Sequence, residues 1–582
     1  MEEKKSTKIK WLDCIFVFIL TCLPLFLIWH FDAKIVFFNN DDLYIGELVS
    51  GITTGRPESH LVHIGYLTGW LLSRLYMLAP STPWYGIFLF TMIYGSIVTA
   101  FSAMIIKLEK VWQKILMTVS ALYITCSFFF YHMAEIQYTT VTTVVCMTAV
   151  VLFVLTEDAT DWKKYIKANI LGFVFFFMSF NIRDKACVMV LPVFFFIGLG
   201  KVIKDKKMFR PVLAYASVLV AIMLVLFGAE RIAYSGAEWM EFERYNTARE
   251  QVMDYAGFPN YEENIALYEE LGISEQSYVS LATRYQVLLD EKVNADFMEA
   301  IEEVSGSDRK IDVVQMLKSF IERHLTSYMD RPLNIIVYFM YVAAIVLALV
   351  SGKYKALYDV LALFLGRMSI WAYLMYIGRS LPRVTQGIYI VELMVLFAII
   401  ISNCLWVNKI KQGAKLPKIA GVCVVVGMIA ICHRWGLPYS SNIYHYNNSQ
   451  MAYATCYREM REYFNEHSEN VYLADMFSFS YFTKDILAEE YPSVGNYVMM
   501  GNWVANSPWT DSIAERYQIE SYEEAAIMQD NVYFVFIDSE GTSWQYLSEY
   551  YAEKYPGSVM EVEEVVETTF GQDFLIVKVR KG

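Results

Sequence analysis

The chain has 582 residues, of which 56% are hydrophobic and 16% aromatic, and its formal net charge is −13. Mean hydropathy is +0.34, and a soluble domain holds only about 45–50% apolar residues, so composition points to the membrane. The acidic balance argues against nucleic acid and against broad contact with anionic lipid. The aromatic content suits interface belts and a carbohydrate- or lipid-lined cavity equally. Nine cysteines, most of them in apolar runs, form neither a disulfide framework nor a CxxC metal pattern.

The tail MEEKKSTKIK precedes an apolar run at 12–31. No small-residue cleavage site follows it, so it reads as an uncleaved membrane helix. Further runs of spanning length lie near 85–106, 113–131, 139–156, 167–181, 187–201, 211–229, 333–350, 358–378, 388–407 and 418–435, about eleven in all. Lysines cluster on alternate segments: the tail (Lys4, Lys5, Lys8, Lys10) and the loops near 107–114, 157–167, 201–210, 351–355 and 408–417, the last with Lys409, Lys411 and Lys415. Positive charge stays on the cytoplasmic side. The expected topology therefore has a cytoplasmic N-terminus and an extracytoplasmic C-terminal region.

Three outer regions are large under this topology. Segment 32–84 holds a turn and then an amphipathic helix along the interface; 231–330 is acidic and helical in spacing, as in FMEAIEEVSG. In 436–582, REMREYFNEH and SYEEAAIMQ read as helices, whereas NVYLADMFSF, NVYFVFID and DFLIVKVRK read as strands. The expected domains are a membrane domain, 1–435, and an outer α/β domain, 436–582.

The first outer loop opens on Asn39-Asn40-Asp41-Asp42 and continues to Glu47. Paired carboxylates at a membrane face can serve as a general base or hold a divalent ion, and Asn and Asp equally make good helix N-caps. Other outer loops add His132, Glu135 and Gln137; Asn181, Arg183, Asp184 and Lys185; and Arg379 and Arg383. Arginine there can grip a phosphate with its planar fork, or merely snorkel or cap. Arg367 and Glu392 fall inside spans, where charges are paired or functional. His60 and His63 could bind a metal or lie on a helix surface. Trp503 and Trp509 could stack on sugar or pack internally. Arg244, Asn246 and Arg249 could cover a cavity or sit on an exposed helix. No Walker, GxSxG, HExxH or zinc spacing occurs.

An apolar first helix, an outer loop with an acidic pair, an interfacial helix, many further spans and an outward C-terminal domain resemble the GT-C glycosyltransferase superfamily. That group includes protein O-mannosyltransferases, aminoarabinose transferases and oligosaccharyltransferases. The stretches FNNDDLYIGELVSGITTGRPESHLVHIGYLTGWLLSRLY, RYNTAREQVMDYAGFPNY and GRSLPRVTQGIYIVEL look like those of uncharacterised bacterial multi-span membrane proteins. The resemblance implies a polytopic α-helical enzyme of the bacterial plasma membrane. It would transfer sugar, with inversion, from a polyprenyl-phosphate-linked donor to an envelope glycan, lipid or protein acceptor. Asp41 or Asp42 would be the base. Arg183, Arg379 or Arg383 would meet the leaving phosphate; Glu135, His132, Gln137, Arg367 and His60 would contribute to substrate binding. Superfamily members differ on metal, so a divalent ion at Asp41, Asp42 and Glu135 stays open. The chain departs from oligosaccharyltransferases in lacking a WWD-type motif. The rival readings are a lipid-linked-sugar flippase, which would use Arg367 and Glu392, and a non-catalytic envelope assembly protein.

Overall fold

The computed structural model describes residues 10–284, 286–307, 312–325, 329–403, 416–479, 482–491, 493–501, 503–538 and 544–582. Lys4, Lys5, Lys8, Lys409, Lys411, Lys415 and Cys404 lie outside the described residues. Ten helices among the described residues are long and apolar enough to cross a membrane, or eleven with the pair Trp162–Ala168 and Ile170–Ile182, bent by 60°. Asn169 sits at that bend. Its amide donates to the Tyr165 carbonyl at 2.9 Å and its Oδ1 accepts from Thr156 Oγ1 at 3.0 Å, which satisfies polar groups the break would orphan. The chain is thus a polytopic helical membrane protein with a sheet domain at its C-terminal end.

Burial sorts the helices. Tyr138–Leu155 and Pro382–Ser402 are almost wholly enclosed and form the centre, whereas Trp11–His30 and Lys206–Ala233 expose most of their apolar surface. The central helix opens on the small residues TTVTTVV; Thr142 and Thr143 stay satisfied by donating to carbonyls one turn back, at 2.8 and 2.9 Å, and Thr140 donates to the Arg383 carbonyl at 3.0 Å. Close approach needs small residues. A Cβ on Gly366 would lie 2.9 Å from Val193 Cα, so the helices Asp184–Lys204 and Ala356–Ile377 touch backbone to backbone there.

Arg367, near the middle of Ala356–Ile377, pairs with Glu392 at 3.2 Å. Its guanidinium lies 5.3 Å from the ring centres of both Tyr338 and Tyr389, and Tyr341 donates to Glu392 at 2.8 Å. This cluster ties together three helices: Leu333–Val350, Ala356–Ile377 and Pro382–Ser402.

The last span runs without interruption from Ile419 to Glu466, so the expected boundary at 435/436 falls inside a helix. A π-turn at Cys432–Gly436 packs on another at Thr125–Phe129, where Ser440 Oγ donates to the Ser127 carbonyl at 2.9 Å. The helix carries the chain into a five-stranded sheet of order β4-β3-β5-β7-β6, with β3 Val471–Ala474, β4 Tyr497–Met499, β5 Val532–Ile537, β6 Ser558–Val566 and β7 Phe574–Lys581. Strand β3 is parallel to both β4 and β5; β7 runs antiparallel to β5 and β6. The expected strand NVYLADMFSF is a strand only over β3, and Met476–Phe479 turns into a short helix.

A two-residue parallel pair, β1 Val36–Phe37 with β2 Glu135–Ile136, holds the first loop against the end of the third span. Glu47 then docks this loop to the sheet domain. It is buried, it accepts from the hydroxyls of Tyr457 and Tyr497, and Arg461 covers the Tyr497 ring at 3.8 Å.

Removing one member of a buried ion pair strands the other, at a cost of about 3–5 kcal/mol. Arg367→Met should therefore lower the thermal unfolding midpoint of the detergent-solubilised protein. The double variant Arg367→Met/Glu392→Leu should recover most of the loss.

Candidate functional site

The helix Asn40–Ser50 begins after Asn39, whose extended backbone (φ −144°, ψ 169°) supplies the N-cap position. Successive helical residues point about 100° apart, so the two acids of the first turn face different surroundings. Asp42 turns inward. It is fully buried and its Oδ1 accepts from the Tyr85 hydroxyl at 2.9 Å and the Tyr138 amide at 3.1 Å. Burial pushes its carboxyl well above the usual carboxylate range, against the Tyr85 bond, and the neighbouring charge of Asp41 adds to the rise. Asp42 bolts the first turn to two spans.

Asp41 turns the other way. Trp503 Nε1 donates to its Oδ1 at 3.2 Å, Asn39 Nδ2 donates to its Oδ2 at 3.1 Å, and Arg383 Nη1 stands 3.8 Å from Oδ2. Its carboxylate borders a cavity of about 240 Å³ that also receives Arg183, Lys185, Arg249, Arg379 and Arg383, with Glu250 and Asp254 as the other acids. Lys185 pairs with Glu250 at 3.1 Å and Arg379 with Asp254 at 3.3 Å. Arg183 has no carboxylate partner among the described residues. Its Nη1 donates to His63 Nδ1 at 3.0 Å and to the His63 carbonyl at 3.2 Å, and its guanidinium covers the Tyr138 ring at 5.5 Å. Burial, reinforced by the charges of Arg183 and Arg249, pushes His63 well below the usual imidazole range. His63 is thus a neutral acceptor that aims Arg183. A second cavity of about 360 Å³ shares His63, Arg183, Lys185 and Glu250 and continues past Phe180 and the buried Leu226 to the exposed Phe227.

The four loops expected to share a face do meet at one end of the bundle, and Asp41, Arg183, Arg379 and Arg383 converge there. Other expected residues do not reach the cavity. Gln137 is spent as the cap of Tyr138–Leu155, accepting from the Thr140 amide at 3.0 Å. His132 is buried beside Tyr131. His60 stacks on Trp239 at 4.6 Å and bonds the Ala233 carbonyl at 3.1 Å, apart from His63. Arg367 is held by Glu392 within the bundle. Arg244 is an exposed surface residue gripping Glu241, Asp296 and Glu299. Glu135 opens instead onto a separate crevice, where burial raises its carboxyl to about 7. Among the described residues no group of three or more His, Cys, Asp or Glu side chains is arranged to hold a metal ion. Asp41, Asp42 and Glu135 in particular do not form one set.

Two contributors come from far along the chain. Arg249, buried and bonded to Asn246 Oδ1 at 2.9 Å, descends from the helix Ala237–Gln251. Trp503 comes from the sheet domain and packs on His63 at 4.7 Å and Trp509 at 5.9 Å. Both tryptophans are buried wall rather than open stacking platforms.

Asp42→Ala should leave two buried donors unpaired and destabilise the protein by about 1–3 kcal/mol for each, whereas Asp41→Asn should leave the thermal midpoint nearly unchanged. Glu135 binds its proton more tightly in the folded protein than in the unfolded chain, so its contribution makes stability fall as pH rises from about 4.5 to about 7. Glu135→Gln should flatten that part of the midpoint-against-pH curve.

No protein-family model matches the chain, and no curated protein matches it. Among solved structures, it is similar to that described as the crystal structure of ArnT from Cupriavidus metallidurans bound to undecaprenyl phosphate. The identity is 10%, the match covers 97% of this chain and 96% of that chain, and the TM-score is 0.43.

Proposed function

We propose that the protein is a membrane glycosyltransferase that moves a sugar from a polyprenyl-phosphate donor to a hydroxyl of an envelope acceptor on the extracytoplasmic face. The observation that carries this reading is the Asp41 carboxylate at the edge of a cavity with five basic side chains, Arg183, Lys185, Arg249, Arg379 and Arg383. Carboxylate and guanidinium groups side by side suit a reaction in which a proton is taken up on one flank and a phosphate departs on the other.

Asp41 removes the proton of the acceptor hydroxyl. The acceptor oxygen attacks the anomeric carbon from the side opposite the phosphate, and the bond from that carbon to the phosphate oxygen breaks. The bonding pair leaves with the polyprenyl phosphate, whose charge is met by Arg383 and Arg183, and the anomeric configuration inverts. The continuation of the basic cavity to Phe180, Leu226 and Phe227 offers the polyprenyl chain an apolar wall beside its phosphate. Asp42, buried among Tyr85 and Tyr138 and outside the lining of the basic cavity, serves to orient Asp41. The protein's own residues supply both roles.

Loss of a general base typically costs about 10²–10⁴-fold in rate. Asp41→Asn should reduce transfer by that order in the native host, read as the sugar composition of purified envelope. Arg383→Ala should also reduce it, and Arg383→Lys should reduce it less. Unchanged envelope sugars with Asp41→Asn at normal expression would overturn the proposal.

A further inference from the structure

A larger cavity than the one beside Asp41 lies elsewhere. A crevice of about 720 Å³ lies between the sheet domain and the first loop, within the range of about 300–1,000 Å³ usual for ligand sites. Its floor is set by sheet topology. After β3 the chain turns to β4 on one side; after β5 it turns through the helix Gln545–Lys554 to β6 and β7 on the other side. The carboxyl ends of β3 and β5 are therefore a topological switch point, the place where open α/β sheets take ligands. Asp475 and Ser478, just after β3, and Ile537, the last residue of β5, line the crevice there.

The floor is built rather than incidental. Asp475 is buried and accepts from Gln286 at 2.9 Å, the Ser478 amide at 2.8 Å and the Ser478 hydroxyl at 2.9 Å. Arg284 stands over it, its guanidinium 5.8 Å from the Phe477 ring centre and 5.1 Å from that of Tyr546. The opposite wall is one stripe of the last helix: Tyr446, Gln450 and Tyr453, spaced so that they share a face. Tyr446 and Tyr453 are 55% and 39% exposed, so their rings present an apolar face and a polar tip to whatever enters. Two polar atoms at the crevice, Thr483 Oγ1 and Asn39 Oδ1, are buried and have no hydrogen-bond partner among the described residues. Orphaned buried polar atoms call for a partner. The crevice and Asp41 are one side chain apart: Asn39, which lines the crevice, donates to Asp41 Oδ2 at 3.1 Å.

We propose that this crevice binds the acceptor, and that the acceptor portion held there is a glycan with free hydroxyls. The two acids, Glu135 and Asp475, against one arginine disfavour a phosphate or other polyanion; scattered single donors and acceptors between aromatic rings suit a polyol. The acceptor would approach Asp41 past Asn39, on the flank away from the basic cavity. Its role as acceptor rests on the transferase reading above; glycan binding by the crevice does not.

The test uses the full-length detergent-solubilised protein on an array of defined glycans, without donor. Wild type and Asp41→Asn should bind the same glycans. The double variant Gln450→Ala/Tyr453→Ala, on an exposed helix face, should keep its thermal midpoint and bind them about tenfold or more weakly. Absence of binding by wild type, or equal binding by the double variant, overturns the proposal. Transfer is measured in parallel. If Asp41→Asn abolishes transfer and the double variant leaves the acceptor KM unchanged, the crevice proposal falls and the transferase stands. If glycan binding is lost in the double variant but Asp41→Asn transfers normally, the transferase reading falls and the glycan site stands. A raised acceptor KM with unchanged kcat in the double variant supports both.

Discussion

The arrangement of the acid pair depends on the burial of one carboxyl. Asp42 receives the hydroxyl of Tyr85 and the amide of Tyr138, which belong to two different spans. Both bonds enter the same oxygen and tie the first turn of Asn40–Ser50 to both spans. Burying an acid is costly unless it is bonded; here Oδ1 takes both donors, while Oδ2 is buried with no partner among the described residues. The return is orientation. With Asp42 pinned inward, Asp41 is carried by helical geometry to the cavity edge, where the tryptophan and arginine contacts complete its setting.

The same logic runs through the surrounding shell. Groups that could have been reactive are used to fix others. Glu47 locks the first loop to the sheet domain through Tyr457 and Tyr497, Gln137 caps a central helix, and a neutral His63 steers Arg183. Arg367 and Glu392 neutralise each other among tyrosines midway along the bundle, which is what a charged pair enclosed by helices requires. That arrangement gives the flippase reading no unpaired intramembrane charge at these two positions.

The spans were legible because hydrophobic length is a local property, and ten helices meet it directly. The shared face of the loops followed from counting spans. Which aspartate faces the cavity was not legible, because neighbours in sequence differ only in helical phase, and phase acquires meaning from Tyr85 and Tyr138 far along the chain. Whether Arg249 covers a cavity or sits on an exposed helix stayed open in the sequence, because nothing in AREQ reveals that this helix end lines the same cavity as Arg183. Strand β6 escaped notice because its register shift between Val562 and Glu564 breaks the alternation that marks a strand, and its edge is lined with glutamates. His60 and His63 look like a pair at a spacing of three, yet the backbone between them is not helical, and Val62 takes a positive φ of 59°.

The bond from Trp503 to Asp41 spans 462 positions of sequence. During synthesis, the aspartate therefore emerges and waits through almost the whole of membrane insertion with one wall missing. The wall arrives only when the C-terminal domain has folded and docked. The setting of Asp41 is thus finished only by the sheet domain, whereas Asp42 finds both of its partners within the first 138 residues.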